Sequence, residues 1–202
     1  WTVRDYIYDD GDGPGDRHAP SPTGSRSLAD GAYTCGCCGA EKRGIPELAH
    51  TTPEEYLAAV DDPGRDVLRM TEDLCEISAG ETELFFVRGI LPIAITDVGD
   101  TYCFGVWSTI SAANYRRYLP TIDQDQRDLG PMAGMLANDL PGLPATLGLS
   151  LMIVPGEKGM RPWLILEQPG DPHVLYDLQS DGMTLDQLAE MIGPSLHCGG
   201  TG

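Results

Sequence analysis

The chain has 202 residues and a formal net charge of −18 at pH 7, from 31 acidic and 13 basic side chains. Such a charge repels nucleic-acid phosphates and anionic membrane surfaces, so we expect neither nucleic acid nor a membrane among its partners. The hydrophobic share of 41% is typical of a soluble globular protein, and no apolar run reaches the about 18–20 residues that a transmembrane helix needs.

The first 32 residues differ in composition from the rest. They are rich in Asp, Gly, Pro and Ser and poor in apolar side chains, so burial cannot offset the entropy lost on ordering. We predict a disordered acidic tail over 1–32, one folded domain over 33–195 and a flexible end over 196–202. Because no basic region is followed by an apolar stretch, we expect no secretory signal and a cytoplasmic location. Six unevenly spaced cysteines then indicate reduced thiols rather than a disulfide framework.

The sequence Cys35-Gly36-Cys37-Cys38-Gly39 places three of the six cysteines within four positions. A Cys-x-x-Cys step followed by glycine folds into a tight turn that points two sulfurs at one cation or at each other. Zinc is the leading interpretation, with Cys35 and Cys38 as half of a tetrahedral site. Metal-free thiols and a redox dithiol are the alternatives. The redox interpretation is weaker because no helix follows the motif to lower a thiol pKa.

The remaining elements follow from capping residues and apolar patterns. Thr52 and Pro53 predict a helix start, and Asp61-Asp62-Pro63-Gly64 predicts its end. Further predicted elements are a strand hairpin over 84–95 and 102–108, a helix over 111–119, strands over 149–154 and 161–166, and a helix over 184–192. Strands follow one another without long intervening helices. The order therefore predicts an α+β fold with a mainly antiparallel sheet and a few short helices.

Charged residues within apolar segments are the next candidates for function. Arg88 and Arg161 each fall in a predicted strand, where a buried guanidinium needs an anionic or carbonyl partner. We expect internal salt bridges, to Asp73 or Glu167, with a shared anion pocket as the alternative. His173 follows a proline in a loop, and a hydrogen-bonded structural role is favoured over a general base or a metal ligand.

Several local patterns occur in an order that resembles a known family. They are Cys35-x-x-Cys38-Gly39, Asp73-Leu74-Cys75, Phe85-Phe86-Val87-Arg88-Gly89, Gly105-Val106-Trp107, Gly134-x-Leu136-x-Asn138, Leu140-Pro141-Gly142-Leu143-Pro144-x-Thr146, Arg161-Pro162, Pro172-His173 and Gly182-Met183-Thr184. The order resembles the bacterial family catalogued as domain of unknown function 2199 (DUF2199), over about residues 33–192. The resemblance implies no activity, substrate or partner.

The resemblance bears on the choice of metal ligands. Cys75 is the cysteine of a recognised motif and is far enough along the chain to return as a third ligand beside Cys35 and Cys38. Members of the family often have a histidine four positions after the second cysteine of the turn, and this chain has Lys42 there. The fourth ligand is therefore open among three side chains: Cys37, His50 and His173.

These observations favour a non-catalytic, zinc-stabilised cytoplasmic module that acts through protein contact. An acidic protein can cover a basic partner, so a regulatory role suits the charge. The alternative is a metal-dependent enzyme, such as a hydrolase, that uses the Cys/His cluster around an open zinc position.

Overall fold

The computed structural model describes residues 27–124, 129–167, 170 and 172–196. Most of the predicted tail and of the predicted flexible end lies outside this part of the chain, and Cys198 with them. Of the residues predicted to belong to the tail, Leu28–Asp30 form a 3-10 turn, and the first strand begins at Ala32.

Strands outnumber helices in the described residues. The strands are β1 (Ala32–Thr34), β2 (Glu41–Arg43), β3 (Arg65–Met70), β4 (Leu74–Ala79), β5 (Thr82–Ile95), β6 (Asp100–Ile110), β7 (Met132–Met135), β8 (Ser150–Val154) and β9 (Trp163–Leu166). The α-helices are α1 (Glu54–Asp61), α2 (Ala112–Tyr118), α3 (Val174–Asp181) and α4 (Leu185–Ile192). The predicted α+β class is confirmed. None of these helices is both long enough and apolar enough to cross a lipid bilayer.

The described residues form two compact units. The first contains 27–46, 93–101 and 177–196, and the second contains 47–92 and 102–176 apart from the undescribed positions.

The large sheet has the strand order β3-β4-β5-β9-β8-β7, and β6 also pairs with β5. The β3–β4, β4–β5, β7–β8 and β8–β9 pairs are antiparallel, whereas β5 and β9 run parallel at Ile90 and Trp163. A bridge between Ser108 and Leu136 links β6 to β7, so the sheet curls. Gly89 permits the approach of β9, because a Cβ there would lie 2.7 Å from the Leu164 side chain. The mainly antiparallel sheet predicted from the strand order is confirmed.

An apolar cluster forms the core of the second unit on one side of β4. Its fully or nearly buried members are Ala59, Cys75, Ile77, Phe86, Trp107 and Ala137. Asn138 lies beside this cluster: its side-chain oxygen accepts from the Trp107 N–H at 2.8 Å, and its amide donates to the Thr52 carbonyl at 2.9 Å. These bonds satisfy a buried amide and connect the segment before α1 to β6.

The first unit combines the β1–β2 hairpin with α4. Thr184 caps the helix by accepting from the Gln187 N–H, and the Gln187 side chain accepts from the Thr184 N–H. These two reciprocal bonds form a capping box. The apolar face of the helix is buried through Leu185, Leu188, Ala189 and Ile192.

Candidate metal site

The cysteine turn is the loop of the β1–β2 hairpin. The strands pair antiparallel up to Thr34 and Glu41, and the residues between them form the turn. The Cys35 N–H donates to the Ala40 carbonyl at 2.9 Å, and the Gly39 N–H donates to the Cys35 carbonyl at 2.9 Å. Gly39 has a φ of 67°, a left-handed conformation that side chains disfavour. These two bonds reverse the chain within the cysteine motif.

The turn brings three sulfur atoms together. The Sγ atoms of Cys35, Cys37 and Cys38 lie within 4.8 Å of one another, and those of Cys35 and Cys37 are 3.3 Å apart. Sulfurs that share a tetrahedral zinc ion lie about 3.8 Å apart, since the Zn–S bond is about 2.3 Å long. That separation lies between the 3.3 Å that separates the Cys35 and Cys37 sulfurs and the 4.8 Å limit within which all three sulfurs lie. Cys35 is buried, whereas Cys37 and Cys38 are exposed, so an ion can reach the cluster from solvent. The cluster can therefore hold a metal ion.

A 3-10 turn at Gly193–Ser195 fixes the position of the cysteine turn. A Cβ on Gly36 would overlap the Pro194 carbonyl oxygen, so only glycine fits at this contact. The Leu196 carbonyl accepts from the Gly36 N–H at 3.1 Å and lies 3.3 Å from the Cys35 sulfur. The glycine between two cysteines is visible in the sequence, but its partner is more than 150 positions away and has no sequence signal.

An open cavity of about 850 Å³ adjoins the buried cysteine. Cys35 lines it together with Tyr33 and three acidic residues, Glu41, Asp186 and Glu190. The sequence analysis did not select these acids, because they come from β2 and α4, far apart in the chain. A cavity lined by carboxylates favours cationic over anionic occupants.

Cys75, the third ligand predicted from the sequence, does not belong to the cluster of three sulfurs. It lies on β4, is 0% exposed and packs in the apolar cluster of the second unit. Burial raises the pKa of the Cys75 thiol to about 12, so it is protonated at neutral pH. A metal ligand must be a thiolate, and apolar surroundings oppose its formation. Its assignment as a ligand stays a prediction.

The two histidines considered as ligands both belong to the second unit. The His50 N–H donates to the Gly105 carbonyl at 2.8 Å, and its carbonyl accepts from the Trp107 indole. Burial lowers the pKa of His50 below its ordinary value of 6.5. The Nδ1 atom of His173 accepts from the Leu175 N–H at 3.1 Å, at the start of α3. The hydrogen bond expected for His173 is present, and its structural role stays a prediction.

The two arginines have different environments. Arg161 makes ion pairs with Asp73 at 2.6 Å and with Glu72 at 2.5 Å, which confirms the salt bridge predicted to Asp73. Burial lowers the pKa of Arg88, and its Nε atom is buried without a partner in the described residues. Its Nη1 atom is 3.5 Å from the Glu72 carbonyl. The Glu72 and Asp73 carboxylates neutralise Arg161. The anion pocket shared by the two arginines stays a prediction.

Comparison with known proteins leaves the chemistry open. No curated protein matches this sequence, and no solved structure does. A family model described as an uncharacterised protein conserved in bacteria, DUF2199, matches residues 34–183 and includes the whole cysteine turn. This match covers most of the chain, and the protein therefore belongs to the DUF2199 family.

Proposed function

We propose that Cys35, Cys37 and Cys38 bind Zn²⁺, and that the protein is a non-catalytic cytoplasmic module whose β1–β2 hairpin is held by this ion. The observation that carries the proposal is the set of three sulfurs within 4.8 Å on one turn. Thiolates are the ligands that zinc prefers in structural sites, where it neutralises part of their charge. Each thiol that binds the ion releases its proton to solvent.

The two strands of the hairpin bury little of their own surface. The three residues of β2 are exposed, and those of β1 are exposed or half-buried. A two-stranded hairpin is marginal in water without further support. Structural zinc contributes about 10–16 kcal/mol of binding free energy in small zinc-finger peptides. A metal ion at the turn therefore supplies stability that burial does not.

The third ligand in this proposal is Cys37 rather than Cys75. The Cys37 sulfur lies 3.3 Å from the Cys35 sulfur, and Cys37 is exposed to solvent. Cys75 lies among apolar side chains that favour the neutral thiol. If Cys37 is the third ligand, a substitution of Cys37 should lower the metal content. If Cys75 is the third ligand, a substitution of Cys75 should do so instead.

The partner in this proposal is a protein with a basic surface. The net charge of −18 is the supporting observation, because complementary charge accelerates encounter and selects the partner. Cross-linking in cells followed by mass spectrometry tests it. Association with a basic protein that weakens as salt rises supports the proposal, and salt-insensitive association contradicts it.

Metal analysis of the purified full chain tests the zinc proposal. We expect about one zinc per chain, because one cluster supplies one tetrahedral centre. Cys35→Ser, Cys37→Ser and Cys38→Ser should each lower the zinc content, whereas Cys103→Ser, in β6, is the matched control and should not. Full zinc content in Cys35→Ser would contradict the proposal.

A metal-dependent enzyme is the second candidate, and the cavity of about 850 Å³ beside Cys35 favours it. This volume lies within the range of about 300–1,000 Å³ that is common for ligand pockets. An enzyme needs an open metal position that a water or substrate occupies. Azide added to cobalt-substituted protein should shift the visible spectrum if such a position exists. An unchanged spectrum favours the structural site.

A further inference from the structure

The cysteines of the turn are unequally accessible to reagents in solution. Cys37 and Cys38 are exposed to solvent, whereas Cys35 is buried. Oxidation of cysteine is selective among sites, because it follows the exposure and the thiolate character of each sulfur. A dissolved oxidant therefore reaches Cys37 or Cys38 before it reaches Cys35.

The sulfurs of Cys35 and Cys37 are close to the distance of a covalent bond. They are 3.3 Å apart, and the S–S bond of a disulfide is about 2.05 Å long. Disulfides join residues whose α-carbons are about 4.4–6.8 Å apart, and α-carbons two positions apart are separated by at most about 7 Å. The hydrogen bond from the Gly39 N–H to the Cys35 carbonyl bends the chain between them. A small movement of the exposed Cys37 side chain is therefore enough to form the bond.

Zinc binding supplies the reactive form of these cysteines. The thiolate is the nucleophilic form of cysteine, and a cysteine that ligates a metal ion is a thiolate. Strand β2 follows the turn, where a redox fold has a helix that favours the thiolate. In this protein the bound ion takes the part of that helix.

We propose that a hydroperoxide oxidises the turn at Cys37 and that Cys35 completes the reaction, which opens the zinc site. This inference rests on the proposed zinc site and adds its regulation. In the first step, the Cys37 thiolate attacks one oxygen of hydrogen peroxide, so that the O–O bond breaks and a sulfenic acid and hydroxide form. In the second step, the Cys35 thiolate attacks the sulfenic sulfur, so that the S–S bond forms and the oxygen leaves as hydroxide. Two protons from solvent convert the two hydroxides to water, so one peroxide is reduced for each disulfide formed.

The disulfide removes two of the three thiolates that this turn offers to the ion. Of the three cysteines, Cys38 keeps its thiolate. Structural zinc sites are built from four ligands, so the loss of two of them releases the metal. A reducing thiol breaks the disulfide by exchange and restores both ligands. Oxidation would thus convert the zinc-supported hairpin into a metal-free one, and reduction would reverse the change.

Treatment of the zinc-loaded full chain with hydrogen peroxide tests the assignment. A colorimetric zinc indicator measures the released metal. Peptide mass spectrometry, after alkylation of the remaining thiols, locates the disulfide. We expect release of about one zinc per chain together with a disulfide between Cys35 and Cys37. Dithiothreitol and added zinc should restore the loaded protein.

Two variants separate the roles of the cysteines. They are compared with the unmodified chain without metal at about pH 8.5, where an ordinary thiol is half ionised, so that zinc binding by the variant is not needed. Cys38→Ser is the matched control and should still form the disulfide. Cys35→Ser lacks the second sulfur, so its Cys37 should continue to the sulfinic acid, seen as a gain of two oxygen atoms.

The outcomes distinguish this inference from the zinc proposal. If the zinc-loaded protein keeps its metal and its thiols in the presence of peroxide, the inference is wrong and the zinc site stands. A disulfide that joins Cys35 or Cys37 to a different cysteine also overturns it, as does a Cys38→Ser protein that forms none. If the purified protein binds no zinc, the zinc proposal fails and the release of metal fails with it.

Discussion

Replacing Gly36 with alanine should destabilise the protein, because this glycine lies where two distant segments touch. An added Cβ would overlap the carbonyl oxygen of Pro194, a backbone atom that cannot rotate away. Either the cysteine turn or the Gly193–Ser195 turn must therefore shift. That shift would break the 3.1 Å hydrogen bond from the Gly36 N–H to the Leu196 carbonyl.

The expected magnitude follows from these two effects. The hydrogen bond contributes about 1 kcal/mol, and relief of an overpacked contact costs about 1–3 kcal/mol. The free energy of unfolding should fall by about 2–4 kcal/mol in total. For a chain of this size, that lowers the melting temperature by roughly 4–16 °C.

Urea unfolding of the zinc-loaded protein measures the change, with Gly170→Ala as the matched control. No atom lies within 4 Å of a Cβ at Gly170, so the control should unfold as the unmodified protein does. Zinc affinity should fall in Gly36→Ala as well, because the sulfurs of the turn move. A change in unfolding free energy below about 0.5 kcal/mol, the usual limit for surface substitutions, would refute the contact.

Three further predictions concern the second unit. Cys75→Ser places a hydroxyl among apolar side chains and should lower the free energy of unfolding by about 1–3 kcal/mol. The zinc content should be unchanged; a loss of zinc would show that Cys75 is a ligand. Asn138→Ala removes the partner of the buried Trp107 N–H and of the half-buried Thr52 carbonyl. It should cost about 2–4 kcal/mol of unfolding free energy, measured by urea unfolding; a cost below about 1 kcal/mol would contradict these bonds. Because the pKa of His50 is lowered in the folded protein, the unfolded chain binds a proton at this residue more readily than the folded one. The melting temperature should therefore decline as pH falls below 6.5, and His50→Gln should reduce this decline. A pH dependence of the melting temperature that is the same in His50→Gln would contradict this prediction.

The elements predicted from the sequence are those with strong local signals. Thr184 and the apolar spacing after it define α4, and the run of apolar residues in β5 defines the central strand. Their boundaries differ from the predicted ones by a few residues at most. In these segments, the capping residues and the apolar pattern indicate the same element, so the local sequence is sufficient to predict it.

The elements that the sequence analysis did not identify lack such signals. In β3, charged residues at Arg65, Asp66 and Arg69 obscure the alternation, and only pairing with β4 makes the segment a strand. Helix α3 follows directly after His173, whose ring accepts the Leu175 N–H. A histidine cap of this kind is not among the usual helix start signals.

The candidate site also has a part that the local sequence predicts and a part that depends on tertiary contacts. The turn with Cys35 and Cys38 is visible because its spacing is local. The contact of Gly36 with Pro194 is a tertiary contact between residues far apart in the chain. Selecting Cys75 relied on its family motif, and its burial on β4 is decided by strand pairing that the sequence does not reveal.

Amide hydrogen exchange of the turn, with and without zinc, tests the central claim most directly. The N–H groups of Cys35 and Gly39 close the turn through the Ala40 and Cys35 carbonyls. If zinc holds the hairpin, adding one equivalent to chelator-treated protein should slow exchange of these two amides by at least about 10-fold, which corresponds to about 1.4 kcal/mol. Equal exchange rates with and without zinc would contradict the claim.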